Sequence, residues 1–107
     1  MESFVLKEVE FVNFLLTAPL HQCMVILKSL SKSQVNALSE VAHNVLYNSE
    51  EVDEELIKEL SSYASLLRKV GDRSSSLLTR RRIIARNAKK VIKVLHMVEQ
   101  ILPTHGE

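Results

Sequence analysis

The chain has 107 residues, of which 46% are hydrophobic, and its 14 Lys and Arg nearly balance its 13 Asp and Glu, for a formal net charge of +1. That length fits one domain with its own core, and the single Cys excludes an internal disulfide. Only two Gly and two Pro are present, too few for the many turns of a sheet protein. We therefore predict one all-α domain over residues 1–107, a compact bundle of about five helices that ends in a long basic helix.

The first two predicted helices meet at Pro19. Apolar residues recur at steps of four, three and four from Val5 to Leu16, the spacing of one helix face, which predicts a first helix over 3–17. Proline suits the first position of a helix, so a second helix is predicted over 19–29. Three charged residues interrupt the apolar N-terminal stretch, and we therefore expect neither a signal peptide nor a membrane span there.

The clearest helix signals in the middle of the chain are caps. Ser31, followed three residues later by Gln34, has the pattern of a capping box and predicts a third helix that runs to about residue 47. Asp53, followed by two Glu, predicts the start of a fourth helix. Gly71 fits a left-handed cap at the C-terminal end of that helix. Residues 1–70 are thus expected to form an acidic and apolar helical core.

The last segment has neither Gly nor Pro from the serines at 74–76 to Pro103. This predicts one long basic amphipathic helix over 74–102, about 40 Å in length at 1.5 Å per residue. The sequence leaves open whether that helix is continuous through Asn87. Its apolar residues alternate steps of four and three, a heptad-like row that is typical of a helix pairing with another chain. The residues that we assign to this oligomer or partner interface are Ile84, Ala88, Val91, Leu95, Val98 and Leu102.

Charge is sorted along the sequence. Residues 1–67 hold four Lys and ten Asp or Glu, a net of −6, whereas residues 68–107 hold ten Lys or Arg and three acids, a net of +7. A helix this basic repels itself unless an anion neutralises it, and Arg is well suited to bidentate contacts with phosphate. The surface that we predict to bind nucleic acid consists of Arg80, Arg81, Arg82, Arg86, Lys89, Lys90 and Lys93.

Other chemistry is only weakly indicated. His21 and Cys23 lie two residues apart, but no second ligand pair follows at zinc-site spacing, so we expect no metal. The serines at 74–76 fit a phosphorylation site or a helix cap, and capping is the simpler interpretation. Because the sequence has no phosphate-binding loop, no nucleophile motif and no paired carboxylates with a partner His, we expect neither an enzyme nor a cofactor.

Two segments, residues 31–46 and 55–84, carry a resemblance to a known family. They contain a Gln-x-x-Ala-Leu-x-Glu pattern at 34–40, a Leu-Arg-Lys segment at 67–69 and a basic stretch at 80–82. In these features the chain resembles short proteins of Maverick (Polinton) elements and related adintovirus-like animal DNA viruses. Family members often end in a Gly-Gly-Phe segment after the basic stretch, whereas this chain continues with further apolar residues. The resemblance implies a viral or mobile-element protein, a context in which basic helical proteins accompany genomes into capsids.

Two functions fit these observations best, ahead of a third in which the amphipathic first helix engages a membrane surface or a groove of another protein. The first is a small helical protein that binds the nucleic-acid backbone without sequence specificity, DNA in preference to RNA, and packages or condenses a genome. The alternative is a protein interaction or self-assembly module, such as a homodimer or scaffold, oriented by the opposite charges of its two halves. In either case we expect an intracellular protein, nuclear or virion-associated and not secreted, with no membrane partner.

Overall fold

The computed structural model describes residues 8–47, 54–99 and 102, and within this part of the chain all regular secondary structure is helical. The predicted all-α fold is confirmed, but the described residues form seven helices where about five were predicted. They are α1 (Val9–Thr17), α2 (Leu20–Ile26), α3 (Lys32–Tyr47), α4 (Glu54–Ser61), α5 (Ala64–Gly71), α6 (Leu77–Arg86) and α7 (Ala88–Met97). The count is higher because two segments that were predicted as single long helices are each divided in two.

The start of α3 is set by the predicted capping box. The backbone N–H of Gln34 donates to Ser31 Oγ at 3.1 Å, and the N–H of Ser31 donates to Gln34 Oε1 at 2.9 Å. These two bonds satisfy donors that a helix N-terminus otherwise leaves unpaired. The helix continues to Tyr47, as predicted. The predicted first turn of the first helix and the predicted cap at Asp53 lie outside the described residues.

Loss of the Ser31 hydroxyl is expected to weaken the fold slightly. In Ser31→Ala the N–H of Gln34 loses its side-chain acceptor, and the free energy of unfolding should fall by about 1 kcal/mol. Urea denaturation followed by circular dichroism measures this difference. Ser29→Ala is the matched control, because Ser29 is exposed and its hydroxyl makes no hydrogen bond with the described residues. Equal effects of the two substitutions would contradict the capping role.

The predicted fourth helix is divided into α4 and α5 at Ser62 and Tyr63. The Ser61 and Ser62 hydroxyls donate to the carbonyls of Lys58 and Glu59, at 2.6 and 3.0 Å. Serines that bond to preceding carbonyls compete with the helical hydrogen bonds, which favours a break at this point. The break reorients the chain, and α5 then makes the most extensive helix contact in the fold, against α3.

Gly71 does not form the predicted left-handed cap, because it lies inside α5. A Cβ at this position would lie 3.3 Å from the backbone N of His43 and 3.5 Å from the Cβ of Ala42. The absence of a side chain therefore lets α5 approach the backbone of α3 closely. The physical reason for glycine here is helix packing and not a positive φ.

The predicted long C-terminal helix is divided at Asn87 into α6 and α7. Asn87 has φ −117° and ψ 29°, outside helical values, and its Nδ2 donates to the carbonyl of Ile83 at 2.8 Å. Asparagine side chains compete for backbone hydrogen bonds in this way and lower helix propensity. The break separates two sets of contacts, since α6 packs against α3 and α5 while α7 packs against α1 and α2.

The helices enclose one hydrophobic core. Its deepest side chains come from the beginning, the middle and the end of the chain, so the C-terminal helices complete the core and do not protrude from it. The principal axes of the molecule measure 33, 28 and 24 Å. The largest fully buried apolar side chains are Leu15, Leu27, Ile84, Leu95, Val12, Val35 and Val98.

Candidate nucleic-acid interface

The start of α6 is set by the polar turn that precedes it. Ser76 caps the helix, since the N–H of Thr79 donates to its hydroxyl oxygen at 3.1 Å, which agrees with the capping interpretation of the serines. The N–H of Ser74 donates to Asp72 Oδ1 at 3.0 Å, and the Ser75 hydroxyl donates to the carbonyl of Asp72 at 2.8 Å. Hydrogen bonds from Ser74 hold the pKa of Asp72 below its ordinary value. The cap and the turn thereby fix where α6 begins.

Arg80 does not lie on the predicted nucleic-acid surface. Its side chain is only 7% exposed and points towards α3, where Nη1 donates to Ser39 Oγ at 2.8 Å and to Asn36 Oδ1 at 3.2 Å. Arg80 lies four residues before Ile84 and therefore shares its buried helix face. The assignment of Arg80 to an exposed basic surface is corrected by this burial.

Arg81 is also engaged within the chain. It is half-buried, and its Nε donates to the carbonyl of Leu30 at 2.8 Å. Leu30 lies in the connection between α2 and α3, so this bond ties the start of α6 to that loop. Part of the Arg81 guanidinium is thus engaged within the fold, which leaves fewer of its N–H donors free for an external contact.

The other five predicted cations are exposed, and we call them the basic face. Those at positions 82, 86, 89 and 93 follow steps of four, three and four, the spacing of one side of a helix. The break at Asn87 divides the face between the C-terminal part of α6 and the N-terminal part of α7. The residues of the basic face are Arg82, Arg86, Lys89, Lys90 and Lys93.

The charges of the basic face are not neutralised within the described part of the chain. Across residues 8–47 and 54–99, the single ion pair within 4.0 Å joins His96 and Glu99. No Asp or Glu occurs in the sequence between Asp72 and Glu99. A surface with several unpaired cations attracts anions over roughly a Debye length, which is about 8 Å at physiological salt.

The heptad-like row assigned to a partner interface lies in the protein's own core. Its six members are each at most 8% exposed, and Ile84 and Val98 are fully buried. They pack within a single chain, so they present no apolar surface to a partner in this structure. A helix inside a monomer needs the same apolar spacing as a helix in a coiled coil, which explains the assignment made from the sequence. The six residues are Ile84, Ala88, Val91, Leu95, Val98 and Leu102.

The remaining candidates do not form a chemical site among the described residues. Cys23 is fully buried, with its Sγ 3.5 Å from the carbonyl oxygen of Leu15, and burial raises the pKa of the thiol. His21, two residues earlier, is exposed. In the described ranges no three His, Cys, Asp or Glu side chains lie close enough to hold a metal ion. None of the helices in these ranges combines the length and apolarity needed to cross a bilayer.

The polar partners of Arg80 on α3 were missed from the sequence. Ser39 is fully buried and Asn36 is half-buried. Both lie among the apolar residues of α3, at a spacing of three that places them on one helix face. A buried hydroxyl and a nearby amide on an otherwise apolar face indicate that a polar group packs against them. The two polar residues on the apolar face of α3 are therefore the sequence signal from which an inward-facing polar partner could have been predicted.

No protein-family model matches the chain, and comparisons with curated proteins and with solved structures gave no significant match. The resemblance to proteins of mobile elements and animal DNA viruses stays a prediction. The structure defines an all-helical protein whose candidate functional feature is an exposed group of unpaired cations on its last two described helices.

Proposed function

We propose that this protein binds the nucleic-acid backbone through the basic face, without sequence specificity and with DNA as the preferred partner. The observation that carries the proposal is the exposure of five cations on α6 and α7, none of them paired within the described residues. Each Lys or Arg that neutralises a phosphate releases a condensed counterion, and this release drives non-specific binding.

The dimensions of the basic face support a backbone contact. Arg82 and Lys93 are 11 residues apart, which corresponds to about 16 Å along a helix, and the break at Asn87 lies between them. Duplex DNA carries one negative charge per about 1.7 Å of its axis, so phosphates outnumber the cations over that length. The number of phosphates along the duplex is therefore sufficient for each of the five cations.

The composition of the basic face supports the absence of sequence specificity. Asn87 is the only amide side chain between Arg82 and Lys93, and Asn and Gln are the residues that read adenine in the major groove. Its Nδ2 donates to the carbonyl of Ile83, which commits that amide to the fold. Lysine, which supplies three of the five cations, is a point charge on a flexible stem and suits phosphate contacts that need no fixed geometry.

The salt dependence of DNA binding tests this proposal. If the five cations each neutralise one phosphate, the log–log slope of affinity against salt should be about −4.5, and affinity should fall about 500-fold between 50 and 200 mM salt. Fluorescence anisotropy of a labelled duplex measures the slope, and a second duplex of unrelated sequence serves as the control. No binding at 50 mM salt, or a preference of more than about tenfold for one sequence, would contradict the proposal.

A second candidate function is self-assembly oriented by charge. The observation in its favour is that Glu54, Glu55 and Glu59 of α4 are exposed and form no ion pair with the described residues. The basic face of one copy would then meet α4 of another, which gives a head-to-tail contact that salt weakens. Sedimentation without DNA at 50 and 200 mM salt distinguishes the two functions, because only self-assembly produces a salt-sensitive oligomer.

A further inference from the structure

A polar cleft lies between the N-terminal half of α3 and the segment that leads into α6. It is open to solvent, with a volume of about 770 Å³. Arg80 of α6, Arg73 of the preceding turn and Lys32 at the start of α3 all line it, so the cleft brings Lys32 beside two arginines that lie more than 40 residues later in the sequence. Its remaining lining residues are Ser33, Asn36, Ala37 and Glu40.

Arg80 is an unusual group for such a position because it is buried and, among the described residues, interacts with a carboxylate only at longer range, with Asp72. Its Nη1 is held by Ser39 and Asn36, but its Nε is buried and has no hydrogen-bond partner. No carboxylate of the described residues lies within 4.0 Å of it. A guanidinium cannot lose its proton in a protein, and a buried charge without a partner is strongly unfavourable. An anion in the cleft, which Arg80 lines, would supply a counter-charge close to the guanidinium.

The other charges around the cleft favour an anion over a cation. Lys32 and Arg73 are exposed at its rim, and Glu40 is the single carboxylate among its lining residues. A second carboxylate, Glu8, lies beside the cleft, where its Oε2 accepts a hydrogen bond from Ser33 Oγ at 2.6 Å. The start of α3 adds the positive end of a helix dipole.

We propose that this cleft binds a phosphate group, with Arg80 at its base and Lys32 and Arg73 at its rim. Arginine presents a planar fork of donors that matches two phosphate oxygens, while lysine adds a point charge. A terminal phosphate monoester carries a charge of about −1.5 to −2 at neutral pH. This charge matches a cleft with three cations more closely than the single negative charge of a carboxylate does.

The phosphate cleft is separate from the basic face. Arg80 and Arg82 are two residues apart on α6, and at 3.6 residues per turn they point about 200° apart around the helix. One is buried against α3 and the other is exposed. The cleft therefore does not depend on the proposed backbone binding, and either proposal can fail without the other.

The phosphate has two plausible chemical sources. It belongs either to a free phosphate compound or to the end of a nucleic-acid strand. A terminal phosphate is more compact and more charged than a backbone diester. It is attached to the strand on one side only, so it can enter the cleft without the strand passing through. Comparison of inorganic phosphate with a 5′-phosphorylated oligonucleotide separates these sources.

Isothermal titration calorimetry with inorganic phosphate, at ionic strength held constant with sodium chloride, tests the proposal. The wild-type protein should bind phosphate saturably, and Arg73→Gln should weaken binding at least about tenfold, the loss expected for one hydrogen bond to a charged group. Arg82→Gln is the matched control, since it removes one exposed arginine outside the cleft, and it should bind as the wild type does. Arg73 is exposed, so its substitution leaves the core intact.

Two results would overturn the proposal. One is the absence of saturable phosphate binding by the wild-type protein, and the other is an equal loss in Arg73→Gln and Arg82→Gln, which would reflect overall charge alone. The chemical source of the phosphate is then determined by comparing the binding of two short single-stranded oligonucleotides that differ only in a 5′-phosphate. Tighter binding of the phosphorylated strand by the wild type, lost in Arg73→Gln, assigns the cleft to a strand end, whereas equal binding of both strands assigns it to free phosphate.

Discussion

Simultaneous replacement of Arg82, Arg86 and Lys89 by Glu is expected to weaken binding to duplex DNA at least about 1,000-fold at 50 mM salt. The association constant varies with salt concentration to the power of about −0.9 for each phosphate contact. Relative to 1 M salt, each contact therefore raises the association constant about 15-fold at 50 mM salt. Three lost contacts therefore give about 3,000-fold, and repulsion by the new carboxylates adds to the loss. Fluorescence anisotropy measures the change.

This variant should remain folded, because all three side chains are exposed and belong to no hydrogen bond or ion pair with the described residues. Its circular dichroism spectrum should match that of the wild-type protein. Surface substitutions of this kind usually change stability by no more than about 0.5 kcal/mol each. A loss of affinity can then be attributed to the contact with DNA.

A control with the same change of charge separates local contacts from the net charge. Lys28, Lys58 and Lys69 are exposed and lie outside the basic face. Their replacement by Glu and the replacement of the three basic-face residues each change the formal net charge of the chain from +1 to −5. We expect the control to lose less than about tenfold in affinity, since distant exposed charges are screened. Equal losses in both variants would contradict a localised binding surface.

Replacement of Ile84 by Ala is expected to lower the free energy of unfolding by about 2–5 kcal/mol. Ile84 is fully buried in α6, so the substitution removes apolar contacts and leaves a cavity. Domains of this size are stable by only about 5–15 kcal/mol, which makes this a large fraction of the total. Urea denaturation at two protein concentrations measures the effect.

The control for Ile84 lies on the same helix. Leu78 is 54% exposed, and Leu78→Ala should cost less than about 1 kcal/mol. If the apolar row served an interface between copies, the loss in Ile84→Ala would depend on protein concentration, because association stabilises the folded state by mass action. We expect no such dependence. Similar small losses for both substitutions would contradict the assignment of the row to the core.

Helix signals that depend on neighbouring residues could be read from the sequence. The capping box at Ser31 and Gln34 is an example, because its two hydrogen bonds close within one helical turn. The extent of α3 to about Tyr47 and a cap among the serines at 74–76 were also predicted from local sequence, and the structure identifies Ser76 as the cap. The absence of strands from the described residues could also be predicted, since it follows from composition and apolar spacing.

Features that depend on packing between distant segments could not be read in this way. The role of Gly71 is an example, because its requirement for a missing side chain comes from His43, 28 residues earlier in the chain. The breaks at Tyr63 and Asn87 also follow from where the flanking helices pack. Local propensity permits each break but does not require it, since tertiary contacts routinely override propensity.

The candidate site was predicted in part. Charge sorting identified the basic segment, and five of its seven predicted cations are exposed. The prediction assigned three consecutive arginines to one surface. Helix geometry, however, places Arg80 on the same face as Ile84 and Arg82 on the other side. The phosphate cleft was not predicted, because Lys32 and Arg73 are brought together only by the packing of α3 beside the turn before α6.

Mapping of the DNA contact by nuclear magnetic resonance tests the proposed function most directly. A duplex of about 12 base pairs, long enough to cover the basic face at about 3.4 Å per base pair, is titrated into ¹⁵N-labelled protein, and backbone amide shifts are followed. The largest changes are predicted at Arg82, Arg86, Lys89 and Lys93, and they should disappear at high salt. No shift at any concentration, or shifts confined to helices other than α6 and α7, would contradict binding through the basic face.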